Sequence, residues 1–288
     1  MICISAPAKV NLHLHILGKT ENGYHILDSL VCFTDFSDTL TFEEDKIFSL
    51  DIVGEFANLL QSHDLAGQNL IEKSVREFEN ATNIKVNLRM ALNKNIPLGG
   101  GLGGGSSDAA ATLNALQRIY KTDINLEKIT AKLGSDITAC LNAPRPVIMR
   151  STGNDIAPAP VLPLKIPAVL ANAGQHCATP EIYRTLKMHE FSKSVTFPDK
   201  FDAIASLADF INTHTRNDLY APALKAEPSL TKTIDIIKQQ TGCLLARLSG
   251  SGATCFGIFE TEDMAQQAAS QIKTTHPEWW VVQTTLLS

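Results

Sequence analysis

The densest chemistry in the chain is the run Gly99-Gly100-Gly101-Leu102-Gly103-Gly104-Gly105-Ser106-Ser107-Asp108. Six of its first seven residues are glycine, a composition that costs conformational entropy on folding and so needs a purpose. Without Cβ atoms the backbone can approach a ligand closely and turn successive N–H groups inward as a nest for anions. Ala109, Ala110, Leu113, Leu116 and Tyr120 then recur at helical spacing, and Ser106, Ser107 and Asp108 suit the first turn of that helix. A nest opening into a helix N-terminus is a phosphate site, because free N–H groups and the helix dipole both favour negative charge. No Lys-Ser or Lys-Thr follows the glycines, so the run is not a Walker P-loop. Gly99, Gly101 and Gly104 satisfy the dinucleotide pattern G-x-G-x-x-G, but a run with six glycines satisfies many patterns. That motif also wants its first glycine at the strand end, and here Asn93 to Pro97 intervene.

Two further segments carry polar side chains of interest. Val10, Leu12, Leu14 and Ile16 alternate with Lys9, Asn11, His13 and His15. This predicts a strand opening at Pro7-Ala8, with Lys9 and Asn11 on one face. Such a face is ordinarily solvated, and two histidines at i, i+2 without a third ligand read as structural rather than as a metal site. Ser135-Asp136 opens a short helix over Ile137 to Leu141, which on local grounds makes Asp136 a capping carboxylate.

The elements that must position these groups are legible in outline. Ile84, Val86, Leu88, Met90 and Leu92 alternate as a half-buried strand before the glycine run, and Leu30 to Phe33 and Asp38 to Phe48 are strand-like. Asn69 to Thr82 and Leu126 to Leu133 read as helices, the second ended by Gly134. Composition shifts over Arg150 to Pro163, the expected domain seam. Beyond it come a short strand at Ala168 to Ala171, a helix capped by Thr179 with Pro180 at its first position, and an amphipathic stretch from Phe201 to Ile211. Ser229 caps a helix over Leu230 to Gln240. Leu244 to Leu248 and Cys255 to Phe259 flank the turn Ser249-Gly250-Ser251-Gly252. Thr261 caps a helix to Ile272, and Trp279 to Leu286 is a last strand. Helices interleaved with antiparallel strands give an α+β expectation.

A length of 288 residues suggests about two domains, and a hydrophobic fraction of 44% supports a real core. A net charge of −5 and a pI near 5.9 give no basic footprint for nucleic acid or an anionic membrane. An anionic ligand must then be held by local donors. The six cysteines show no C-x-x-C spacing, which favours reduced thiols and a cytoplasmic setting. No run approaches a membrane span, and the N-terminus does not read as a signal peptide.

Taken together, Pro7-Ala8-Lys9-Val10-Asn11-Leu12, Pro97 to Asp108 and Leu248-Ser249-Gly250-Ser251-Gly252-Ala253 resemble the three motifs of the GHMP small-molecule kinases. That superfamily includes galactokinase, homoserine kinase and mevalonate kinase. Ala6 to Leu12, Gly23-Tyr24-His25, the full Pro97-to-Ser107 loop and Gly134-Ser135-Asp136-Ile137 resemble the branch that acts on a diphosphocytidyl sugar alcohol. The resemblance implies a two-domain α+β GHMP kinase fold. Residues 1–157 would form an N-terminal part like ribosomal protein S5 domain 2, and residues 158–288 a ferredoxin-like C-terminal part, with the site in the cleft between them. It implies that ATP phosphorylates the 2-hydroxyl of 4-diphosphocytidyl-2-C-methylerythritol, in the non-mevalonate route to isoprenoids.

Residue by residue, the resemblance makes Asp136 the general base, and Lys9 the residue that orients the hydroxyl and stabilises developing charge. It assigns ATP to Pro97, Leu98, Gly99, Gly100, Gly101, Leu102, Gly103, Gly104, Gly105, Ser106 and Ser107. Substrate falls to Asn11, Tyr24, His25, Thr179 and Tyr183, with Tyr24 and Tyr183 as aromatic faces for a flat base. Mg²⁺ would bridge phosphate oxygens and keep several waters; no protein ligand for it is identified. One stretch departs from the family pattern: where Gly-x-Gly-Glu is usual, the chain reads Ser151-Thr152-Gly153-Asn154-Asp155. Mevalonate- or homoserine-type specificity is the alternative within the family. A dinucleotide-dependent oxidoreductase would leave Lys9, Asp136 and the second glycine turn unexplained.

Overall fold

The structure is a computed structural model, described over residues 1–62, 69–186 and 191–288. In chain order its elements are β1 (Ile2–Asn11), β2 (His15–Lys19), β3 (His25–Glu44), β4 (Ser49–Val53), α1 (Ala57–Ser62), α2 (Leu70–Thr82), β5 (Leu88–Asn93), α3 (Gly104–Ile119), α4 (Leu126–Leu133) and α5 (Ser135–Cys140). They continue with β6 (Val147–Ser151), β7 (Asp155–Pro158), β8 (Ile166–Asn172), α6 (Thr179–Thr185), α7 (Ile204–His214), α8 (Tyr220–Ala226), α9 (Leu230–Lys238), β9 (Cys243–Leu248), β10 (Cys255–Phe259), α10 (Glu262–Thr275) and β11 (Trp280–Leu287). Two compact units result. One holds residues 1–8, 36–98 and 103–143, the other residues 9–35, 99–102 and 144–288. This partition by packing interleaves along the chain and differs in kind from a sequential division by family module.

In the first unit β5 pairs antiparallel with the second half of β3, from Thr39↔Asn93 to Glu44↔Leu88, and parallel with β4. The alternation of Leu88, Met90 and Leu92 puts one face of β5 in the core, where Phe42, Phe78, Leu113 and Leu116 also lie. Asn69 caps α2, its side chain accepting from the Ile71 N–H at 2.8 Å. Helices α2 and α4 pack together, as do α3 and α5. The strand begins at Leu88 rather than at Ile84, because residues before it have no ladder partner.

In the second unit β8 is buried along its whole length, as a central strand covered on both faces should be. It pairs antiparallel with β10 and β11, and β10 pairs with β9. The first half of β3 pairs with β2 and β6, and β11 reaches it at Leu286↔Thr34. Thr261 caps α10 through the Met264 N–H at 3.2 Å.

Several expectations are corrected. Pro7 and Ala8 lie inside β1, which starts at Ile2. The run from Lys9 to Ile16 is two strands: Leu12 N–H donates to Leu30 O but Leu14 N–H to Arg216 O, so the chain changes partner and the ladder breaks. Leu30 to Phe33 and Asp38 to Phe48 belong largely to one long strand, β3. The first part of the compositional shift, residues 147–158, folds as a β6–β7 hairpin, with Ser151 (φ 56°) and Gly153 (φ 94°) in its turn. Ala178, not Thr179, occupies the cap of α6; Ser229 holds the N-cap position of α9 as expected but makes no capping bond, its hydroxyl donating instead to Glu227 at 2.6 Å. Among the described residues no helix is long and apolar enough to cross a membrane, and no disulfide joins any two of the cysteines.

Candidate active site

The glycine run is shared between the two units. Gly103 to Ser107 belong to the first, where α3 begins at Gly104, two residues earlier than the serines suggested. Gly103 is the N-cap in the left-handed region (φ 61°, ψ 23°) and offers no side chain to the first-turn N–H groups. Beneath this turn lies a buried ion cluster that sequence reasoning missed. Lys94 Nζ donates to Asp108 at 2.7 Å and to Asp38, with all three side chains almost fully enclosed. The Asp38 carboxylate also accepts the N–H groups of Asn95 at 2.5 Å and Ile96 at 2.8 Å. A β-carbon on Gly104 would stand 2.9 Å from Lys94 Nζ. Thus Asp38 and Asp108 hold Lys94 while Lys94 fills the floor under the first residue of α3. Burial pushes the Asp108 carboxyl up, Lys94 opposes this and Asp38 adds to it, so that the group stays above its ordinary value. Lys94 stays above its ordinary value, since the two carboxylates outweigh the effect of its burial. A buried lysine between two acids separated by tens of residues leaves no local sequence signal.

Asp136 sits in the first turn of α5, half-buried. Helix α5 packs on α3, and Asn114 Nδ2 on α3 donates to Leu141 O at 3.3 Å just past its end. Thr130 and Thr138 hydroxyls, 2.8 Å apart, join α4 to α5. The catalytic candidate therefore stands on a braced helix of the same unit as the loop's helix.

Gly99 to Leu102 belong to the second unit, with Lys9 and Asn11. Lys9 N–H donates to Leu102 O at 2.8 Å, and Thr254 N–H to Gly100 O at 3.0 Å. Ser249 Oγ donates to Gly101 O at 3.0 Å and accepts from Asn11 N–H at 3.3 Å. A β-carbon on Gly101 would stand 2.9 Å from Gly252 O and overlap Ser249 O, and its φ of 75° also favours glycine. The first glycine loop is thus clasped between the end of β1 and the second glycine turn. Lys9 Nζ donates to Asn11 Oδ1 at 2.9 Å, and Asn11 Nδ2 to Ser29 Oγ at 2.8 Å. The shared face of Lys9 and Asn11 is as expected, but it is buried (5% and 1% exposed) rather than solvated. Enclosed polar side chains at a strand end, spent on each other, define an ordered site rather than a wet surface.

The remaining predicted residues also lie in this unit. His25 and Tyr183 rings meet with centroids 5.0 Å apart, tilted by 41°. Thr179 Oγ1 is 2.8 Å from Ser251 Oγ, which ties α6 to the second glycine turn. Tyr24 stands 69% exposed, its N–H held by Thr20 Oγ1 at 3.1 Å. His13 and His15 are structural: His13 Nδ1 accepts from Leu30 N–H at 3.0 Å, and His15 bridges Lys193 O and Arg216 N. Among the described residues no group of three or more His, Cys, Asp or Glu side chains could hold a metal ion.

Left-handed glycines at 99, 101 and 103 and an uncapped helix of 16 residues suit phosphate oxygens. A carboxylate at a helix start and a lysine aligned by an amide suit transfer to an alcohol. Residues 69–144 match the model of the GHMP kinases N terminal domain, and residues 201–278 that of the GHMP kinases C terminal region. The chain belongs to the GHMP kinases. It is 39% identical to a 4-diphosphocytidyl-2-C-methyl-D-erythritol kinase from Paramagnetospirillum magneticum, covering 99% of this chain and 98% of that one. It is 40% identical to the protein of that name from Paracoccus denitrificans, covering 96% and 94%. A crystal structure of 4-(cytidine 5'-diphospho)-2C-methyl-D-erythritol kinase superposes over 100% of both chains, with a TM-score of 0.81 and 28% identity.

Proposed function

We propose that the chain transfers the γ-phosphoryl group of ATP to the 2-hydroxyl of 4-diphosphocytidyl-2-C-methyl-D-erythritol, a step of the non-mevalonate route to isoprenoids. The observation that carries this reading is near full-length identity of 39% to a kinase of that name. Phosphoryl transfer needs positioning and charge neutralisation more than covalent help. The N–H groups of Gly99 to Ser107, following Pro97 and Leu98, cradle the ATP phosphates. Mg²⁺, held chiefly by phosphate oxygens and water, would neutralise charge on the transferring group; the carboxylates that Lys94 binds are not assigned to it. Asp136 accepts the hydroxyl proton. Lys9, aligned by Asn11, orients the hydroxyl and stabilises charge on its oxygen. A proton that leaves late lets a carboxylate serve as the base.

His25, Tyr183, Tyr24 and Thr179 take the cytidyl end. His25 and Tyr183 already touch, so a base would stack on a preformed pair, and binding energy there would hold the distant hydroxyl against Asp136. The sequential modules 1–157 and 158–288 are part of the reading, with the two family matches falling on either side of that division. So is a cytoplasmic setting, to which thiols not joined in disulfides are suited.

A coupled ADP-release assay across the diphosphocytidyl methylerythritol, mevalonate, homoserine and galactose tests the proposal. Turnover should be confined to the first. Faster release with any other alcohol would move the chain to another branch of the GHMP kinases.

A further inference from the structure

His176 was assigned nothing by its sequence, yet it lies against the first glycine of the phosphate loop. A β-carbon built on Gly99 would overlap Nε2 and Cδ2 of His176 and stand 3.1 Å from its Cε1. Gly99 therefore meets two demands: a φ of 61° and room for an imidazole edge on its α-carbon. The ring itself is exposed and makes no hydrogen bond among the described residues. Its backbone, by contrast, is well fixed. Two residues upstream, Gly174 N–H donates to Asn172 Oδ1 at 2.9 Å, and the next residue, Cys177, is buried at 3% exposure. Three residues on, Thr179 joins Ser251 of the second glycine turn, and Tyr183 of the same segment packs on His25. The stretch of chain from the end of β8 through α6 thus touches the first glycine loop, the second glycine turn and the aromatic pair, all within one compact unit.

An imidazole has a ring N–H to donate, and a diphosphate presents charged acceptor oxygens. The molecule as a whole carries a charge of −5, so donors to an anion must be local. We propose that His176 is a substrate-binding residue whose ring donates a hydrogen bond to the diphosphate of the cytidyl substrate, between the aromatic pair that takes the base and the glycine loop. The inference rests on the cytidyl reading of the site. It adds a side-chain donor assigned to the diphosphate, for which that reading named no residue.

Competitive inhibition by cytidine, cytidine monophosphate and cytidine diphosphate tests it, measured against the diphosphocytidyl substrate at saturating ATP. His176→Phe keeps a flat ring against Gly99 and removes the donor; His176→Gln keeps a donor on a smaller group. His176→Phe should weaken the diphosphate about 10- to 100-fold, the range of a hydrogen bond to a charged group. Cytidine inhibition and the KM for ATP should stay within about twofold of the parent, and His176→Gln should recover part of the loss. Equal weakening of cytidine and the diphosphate, an unchanged diphosphate, or a rise confined to the KM for ATP would overturn the assignment. If none of the three cytidyl compounds inhibits the parent enzyme, the cytidyl reading itself falls and the assignment with it.

Discussion

At the residue scale the account turns on Asp136. A carboxylate in the first turn of a helix serves equally as a cap and as a base, and its local sequence cannot separate the two. Asp136→Asn keeps the shape and most of the capping ability but removes the proton acceptor. We expect kcat to fall by roughly two to four decades while ATP affinity holds, the signature of a lost general base. Steady-state kinetics with calorimetric ATP titration would read both quantities. Activity within a few-fold of the parent would return Asp136 to capping alone. Lys9 and Asn11 show the opposite kind of legibility. Their shared face follows from strand alternation, whereas their burial does not, because it depends on Ser29 and Ser249, which lie far away in sequence.

At the scale of elements, the glycine loop and α3 were plain in the sequence because glycine content and helical periodicity are local signals. What holds the helix start was not. Lys94, Asp38 and Asp108 come from a connector, a strand and a helix, and only the fold brings them together. The same limit hid the β6–β7 hairpin: turn residues mark an interruption without saying whether the strands on either side pair. The buried cluster makes a clear prediction. Lys94→Met keeps most of the volume but strands two buried carboxylates, and breaking a buried ion pair costs about 3–5 kcal/mol. Chemical denaturation should show a loss of that order, and adding Asp38→Asn or Asp108→Asn should restore part of it. A loss under about 1 kcal/mol would mean that the charges contribute little to holding the connector.

For the whole molecule, the α+β architecture was readable from alternating helix and strand patterns, while the interleaving of the two compact units was not, since β1 and β3 each serve both. Acid stability is a global property with an identifiable local source. Burial works against ionisation of Asp28, but the His13 ring 3.7 Å away and hydrogen bonds from the Ser194 hydroxyl and the Val195 N–H overcome it and lower its carboxyl to about 2. A native value below the unfolded one makes the contribution, about 2 kcal/mol, complete above pH ~4 and lost as pH falls toward ~2. Burial also lowers His13, against the pull of Asp28, so its contribution is complete above its unfolded value and declines as pH falls below about 6.5. Thermal melts should show Tm falling in two stages on acidification, with Asp28→Asn removing the more acidic one; a melt unchanged between pH 7 and 3 would contradict this.

The central claim is a new phosphomonoester on one particular oxygen, and nuclear magnetic resonance of the product tests it most directly. With ATP and substrate labelled with ¹³C at C2, the product should keep both diphosphate phosphorus resonances and gain a phosphomonoester coupled to the labelled carbon. A product without that coupling, or a phosphomonoester on another hydroxyl, would contradict the account.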